Sequence, residues 1–201
     1  MLKTFRESLC AGVLITIGGT VFLSCENKTV GAVLFSVALL CICYKGYYLF
    51  TGKIGYLVEQ HEKKDFADLL IGLLGNLICT FLLGILLRNV LPDIGAKAAE
   101  MCSAKLLQNP LHTLIRGFFC GILMYLAVSI YKEKNSVLGV LFCVPVFILC
   151  GFEHSIADMF YFGASGIFNA KIITFELAAV LGNTVGGLIL PLLSKLSAEN
   201  K

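Results

Sequence analysis

Six apolar runs, at residues 9–25, 30–50, 66–87, 111–131, 137–162 and 172–193, take up most of this chain and dictate what it can fold into. Each is close to the roughly 20 residues that cross the hydrocarbon core of a bilayer as a helix. At that depth no water is present to satisfy backbone N–H and C=O groups, and a helix satisfies them within one segment. The chain has 201 residues, 58% hydrophobic and 14% charged, and most of the charges fall between the runs. These features predict an all-α integral membrane protein with six transmembrane helices, forming a single transmembrane domain over 1–201. Residues 1–25 imitate a signal peptide, but Lys3, Arg6 and Glu7 lead into a long run with no convincing small-x-small cleavage site before the next run, so the segment reads as a retained first helix.

Charge between the runs sets the orientation. The segments 59–65 (EQHEKKD) and 132–134 (KEK) share a side with Lys3, Arg6, Lys195 and Lys201, and the positive-inside rule makes that side cytoplasmic. Both termini are then expected in the cytoplasm, in a multi-pass protein of the cell inner (plasma) membrane. The opposite side receives the short turn at 26–29, the longer connection at 89–110 and the segment 163–171, with Lys97, Lys105 and Lys171 on it.

The chain also repeats itself. Gly12 matches Gly117, and Leu74-Gly75-Asn76 recurs as Leu181-Gly182-Asn183, at offsets of roughly 105 residues. Two three-helix repeats, about 5–88 and about 110–195, follow. An odd number of helices per copy inverts one copy relative to the other, an architecture of transport proteins with a site near the bilayer midplane.

The middle helix of each repeat is interrupted, by KGYYLFTGKIGY at 45–56 and by CGFEHSIADMF at 150–160. Helices 2 and 5 are therefore expected to be broken, because irregular backbone survives at membrane depth only where it lines a cavity. Glu153, His154 and Asp158 would be costly against lipid. A histidine there, opposite Leu49, Phe50 and Thr51, can hydrogen-bond a passing anion and relay a proton, or simply brace a neighbouring loop. Lys45 and Lys53 flank the first break and are expected to pair with Glu153 or Asp158. Lys105, near a helix end, reads by itself as a lysine extended to the headgroups. Asn76 and Asn183 are expected to satisfy backbone groups at the breaks, and Gly12, Gly18, Gly19, Gly186 and Gly187 to permit close helix approach.

Other function classes find little support. There is no HExxH, no second histidine deep within a span (His112 stands at the start of the run at 111–131), no nucleotide-binding GxxxxGK[ST] and no serine or cysteine paired with His154, so no enzyme, metal site or cofactor is expected. The nine cysteines lie mostly inside runs without a CxxC pair and read as small buried hydrophobes. A net charge of +3 with no basic tract argues against nucleic acid. A purely structural or sensory membrane subunit remains as a different class.

Four motifs together, LFTG at 49–52, RGFFCG at 116–121, GFEHSIADMF at 151–160 and GNTVGG at 182–187, resemble the formate/nitrite transporter family of formate, nitrite and hydrosulfide channels. The resemblance runs over nearly the whole chain. It implies an aquaporin-like protomer with its own pore, assembled as a homopentamer in the lipid bilayer. It also implies a constriction of Leu39 and Leu49 on the cytoplasmic side, another of Phe35 and Phe147 on the outer side, Thr51 and His154 between them, and Lys105 at the outer vestibule.

The implied function is a passive or proton-linked channel for small monovalent weak-acid anions. The vestibule lysine attracts the anion, which is neutralised near His154 and crosses as its conjugate acid. A neutral small-solute channel of the water or urea type is the alternative on the same fold. Three residues depart from the family pattern: Gly121 and Asp158 stand where asparagine is usual, and Tyr48 where an acid is common. A missing amide at Gly121 is expected to widen or dry the pore wall, and Lys53 to compensate Asp158. With few residues before the first run, the amphipathic amino-terminal helix that gates family members is not expected.

Overall fold

The computed structural model describes residues 1–199, and among these it contains helices with their connecting turns and short extended segments, and no strand. The helices are α1 (Leu2–Ser24), α2 (Lys28–Lys45), α3 (Phe50–Lys53), a 3-10 turn (Ile54–Val58), α4 (Lys63–Val90), α5 (Pro92–Lys105), α6 (Pro110–Lys134), α7 (Leu138–Leu149), α8 (Ser155–Ser165) and α9 (Lys171–Glu199). Five of them, α1, α2, α4, α6 and α9, are long and apolar enough to cross a membrane. The run at 137–162 is divided between the shorter α7 and α8. Lys201, counted with the cytoplasmic charges, lies outside the described residues.

Helix ends follow local chemistry. Asn27 accepts from Thr29 N and Val30 N at the start of α2, Asn109 accepts from Leu111 N ahead of Pro110 in α6, and Glu62 and Asp65 form a reciprocal capping box on α4. The connection at 89–110 is not an extended loop. Pro92 opens the 14-residue α5, whose Ile94, Ala98 and Cys102, four residues apart, are buried and whose neighbour is α8.

The long helices present one face to each other and one outward. On α4, Leu70, Leu74, Ile78, Leu82 and Leu86 recur every four residues and are all exposed, a stripe suited to hydrocarbon or to a neighbouring protomer. Its inner face carries Gly72, Gly75, Asn76, Thr80 and Gly84. With so little side chain, backbones can touch: a Cβ on Gly84 would run into the α8 backbone at Phe160 and Ala164.

Corresponding elements of the two halves make corresponding contacts. α1 packs on α4 and α2 as α6 packs on α9 and α7, while α2 meets α7 at the centre. The half-helices are exchanged, so that α8 lies on α4 and the α3 region lies on α9. Gly117, Gly121, Gly182 and Gly186 bring α6 and α9 into backbone contact. This corrects the reading of Gly121, which faces the Asn183 carbonyl and Gly187 on α9 and lines neither cavity described below. The absence of a side chain there is a packing requirement of the α6–α9 seam and does not widen a pore.

Candidate functional site

Both breaks are built the same way. α2 closes on Gly46 at φ 69° and α7 ends before Gly151 at φ 68°, left-handed conformations that glycine adopts without steric cost. The chain then runs extended and restarts at Leu49 and at His154, the N-caps of α3 and α8. Each restart leaves backbone groups without helical partners, and one asparagine supplies them. Asn76 Oδ1 accepts from Phe50 N at 2.9 Å, while its Nδ2 donates to Tyr48 O at 3.0 Å and Ser8 O at 2.8 Å. Asn183 Oδ1 accepts from Ser155 N at 3.0 Å, and its Nδ2 donates to Glu153 O at 2.8 Å and Gly117 O at 2.9 Å.

The two restarts meet through His154 and Thr51, whose Nε2 and Oγ1 are 2.8 Å apart. His154 Nδ1 accepts from Ala157 N at 3.1 Å, which caps α8. A neutral ring accepting at Nδ1 carries its proton on Nε2, so the hydrogen-bond pattern assigns Nε2–H as donor to Thr51. The threonine hydroxyl hydrogen is then left for another acceptor. Phe147 stacks on the imidazole with centroids 5.6 Å apart and planes 17° from parallel, and Phe35 meets Phe147 edge-on at 6.4 Å.

Two cavities approach this centre from opposite sides. A large one of about 750 Å³ is bordered by α5 and by Glu26, Lys28, Lys97 and Glu100, and reaches in to Phe35, Phe147 and His154. A small one of about 50 Å³ is lined by Leu39, Ile42, Leu49, Lys53, Val128 and Lys132. Phe35, Leu39, Leu49 and Phe147 are each at most 3% exposed and separate the two. Phe35 and Leu39 stand one turn apart on α2. Thr51 is fully buried at the first restart.

The charged residues assemble differently from the sequence expectation. Lys105 Nζ is bonded to the Glu153 carboxylate and lies 2.9 Å from Asp158 Oδ1. Gln108 Nε2 donates to Glu153 Oε1 at 3.0 Å, and Arg116 Nη1 is 3.8 Å from the same oxygen. Lys45 is exposed at the end of α2, and Lys53 sits over the Tyr48 ring at 5.5 Å. The expected pairing of Lys45 or Lys53 with Glu153 or Asp158 therefore does not form, because the first break opens to the small cavity and the acidic residues border the large one. Lys53 compensates nothing at Asp158. Lys105 is also no bare vestibule charge, since two carboxylates oppose it.

Gln108, Arg116 and Glu176 were not singled out from the sequence. Glu176 is 6% exposed, and neither of its oxygens has a hydrogen-bond partner. The signal was present: among Asp, Glu, Lys and Arg, only Arg116 interrupts the apolar run at 111–131 and only Glu176 that at 172–193.

A broken-helix membrane fold with a cavity on either side of a buried centre defines a pore-forming class. The family model described as formate/nitrite transporter matches residues 1–196, and the chain belongs to that family, whose members are channels and not enzymes. The uncharacterized transporter YwcJ of Bacillus subtilis is 27% identical over 94% of this chain and 85% of its own length. The nitrite transporter NirC of Salmonella typhimurium is 26% identical, over 88% of this chain and 73% of its own. Among solved structures, a pentameric formate channel with formate bound superposes over 100% of this chain and 98% of its own, with a TM-score of 0.79 at 22% identity.

Proposed function

We propose that this chain is a passive, proton-linked channel for small monovalent weak-acid anions of the formate, nitrite and hydrosulfide class. The observation that carries this reading is the buried His154–Thr51 pair, with Phe147 stacked on the imidazole and Phe35, Leu39 and Leu49 buried between the two cavities. A bare anion in a dry ring of leucine and phenylalanine loses its hydration without compensation, whereas its small neutral acid does not. Thr51 accepts from His154 and has its own hydroxyl hydrogen to offer, which makes the chain Nε2–H to Oγ1–H to solute. A proton drawn from cavity water neutralises the anion, Thr51 Oγ1–H donates a hydrogen bond to the solute, and the neutral acid crosses. No energy-coupling element is required, so flux follows the combined gradient of anion and proton.

In this reading the large cavity is the outer vestibule, the small one faces the cytoplasm and both termini are cytoplasmic. The exposed apolar stripes are covered partly by lipid and partly by further protomers of a homopentamer, the assembly named for the solved formate channel. The test is uptake of formate, nitrite, hydrosulfide and urea into proteoliposomes from about pH 5 to pH 8, the range in which histidine chemistry operates. Flux of the three anions that rises toward acid and is lost in His154→Ala supports the reading. Urea flux alone, indifferent to pH and to His154→Ala, replaces it with a neutral-solute pore.

A further inference from the structure

One ammonium group on the wall of the large cavity faces more carboxyl groups than it can neutralise. Lys105, 13% exposed at its side chain, is bonded to both Glu153 and Asp158. Glu176 on α9 is buried within electrostatic reach of all three. The other charged or titratable groups facing this cluster are Arg116 and Cys120 from α6, Cys102 from α5 and Tyr161 from α8. His154 is adjacent in sequence, but both of its ring nitrogens are engaged elsewhere, with Thr51 and Ala157.

The two carboxylates on Lys105 are not equivalent. Glu153 receives hydrogen bonds from Lys105 and Gln108 and has Arg116 beside it. Asp158 has Lys105 at Oδ1, while its Oδ2 is buried without a hydrogen-bond partner. Of the two carboxylates on Lys105, Asp158 is therefore the one with an oxygen free to take a proton, since both oxygens of Glu153 are already hydrogen-bonded. An anion reaching Lys105 would stand as a third negative charge around one ammonium, unless one carboxylate is first neutralised.

We propose that Asp158 makes this wall a co-binding site for one proton and one small monovalent oxyanion. Asp158 takes a proton from cavity water and becomes a neutral acid, and the Lys105 N–H it releases donates to the incoming anion. The net charge of the cluster with its anion equals that of the empty, unprotonated cluster. Transfer of the Asp158 O–H proton to the anion re-forms the Asp158–Lys105 ion pair and frees the neutral acid toward Phe35 and Phe147. This rests on the anion-channel reading and adds to it the residue that couples proton to anion before the constriction.

The test is titration of the purified full-length protein with sodium formate by calorimetry, in two buffers of different ionisation enthalpy near neutral pH. Wild type is expected to take up close to one proton per formate bound. Asp158→Asn, which fixes the neutral state with the same shape, is expected to bind formate with proton uptake near zero, and Asp158→Glu to restore it. Formate binding to wild type without proton uptake overturns the proposal, and no variant is needed to see it. Uptake that persists in Asp158→Asn, or wild type that binds no formate, overturns it too. Failure of the channel reading shows separately, as wild-type proteoliposomes that carry no formate flux.

Discussion

Asn76 and Asn183 make the same three kinds of bond at the two helix breaks: each accepts one N–H from the restarting half-helix, donates to one carbonyl of the extended segment before it, and donates to one carbonyl of the first helix of its own repeat. A carboxamide is the one neutral side chain group that accepts and donates twice across this geometry. Asn183→Ala leaves an N–H and two carbonyls unpaired, at about 1–3 kcal/mol for each group that stays unsatisfied. The expected outcome for Asn76→Ala and for Asn183→Ala is a lowered thermal midpoint of the purified protein. Asn183→Asp, which keeps the acceptor and loses both donors, is expected to be no better than alanine.

The His154–Thr51 bond predicts a contrast between two nearly isosteric changes. Thr51→Val removes the acceptor for Nε2–H at a buried site, and a buried donor left unsatisfied costs about 1–3 kcal/mol. If that penalty falls on the permeation step, formate flux drops about tenfold or more, since ~1.4 kcal/mol is one factor of ten. Thr51→Ser keeps the oxygen and is expected to retain most of the flux. Equal loss in both variants would mean that the methyl group, and so packing, matters more than the hydroxyl.

Lys105 gives a prediction of opposite sign for single and double changes. Lys105→Met removes the cation from between Glu153 and Asp158, and breaking a buried pair from one side costs about 3–5 kcal/mol. Asp158→Asn in the same chain removes one of the two stranded charges. The double variant is therefore expected to be more stable than Lys105→Met alone, with thermal unfolding of the four proteins of the cycle as the measurement. Additive losses would show that the Lys105–Asp158 contact at 2.9 Å contributes nothing to the fold.

Much of this architecture is legible in the chain because the bilayer permits so few solutions. Apolar runs fix the spans, and glycine followed by polar residues inside a run marks the breaks that close on Gly46 and Gly151. What the sequence hides is which side of the membrane a flanking charge serves. Lys53 is three residues from the Phe50 restart, yet it borders the small cavity, and the acidic residues are met by Lys105 from α5. That pairing depends on α5 folding back over α8, an arrangement set by Ile94, Ala98 and Cys102 at four-residue spacing after Pro92 in a segment read only as a connection. Glu176 was visible as a charge in a run, but the charged groups within its reach, Lys105 on α5 and Glu153 and Asp158 at the second break, come from other segments of the chain and no local pattern names them.

Gly121 is where resemblance and packing give opposed expectations, and substitution decides between them. If the position lined the pore, Gly121→Asn would return the amide common in relatives and leave the fold intact. In the structure a Cβ at Gly121 would collide with the Asn183 carbonyl and the Gly187 backbone, neither of which is a flexible side-chain end. Asn183 is also the residue that holds the second break, so a shift of α9 at this point disturbs its bonds to Ser155 and Glu153. Overpacking a close-fitted contact typically costs about 1–3 kcal/mol, and the bonds of Asn183 add to it. Gly121→Ala is accordingly expected to lower the thermal midpoint, and Gly121→Asn to lower it further and reduce the yield of assembled protein. Size-exclusion profiles and unfolding curves of both variants check this, and a Gly121→Asn protein as stable as wild type would return Gly121 to the pore wall.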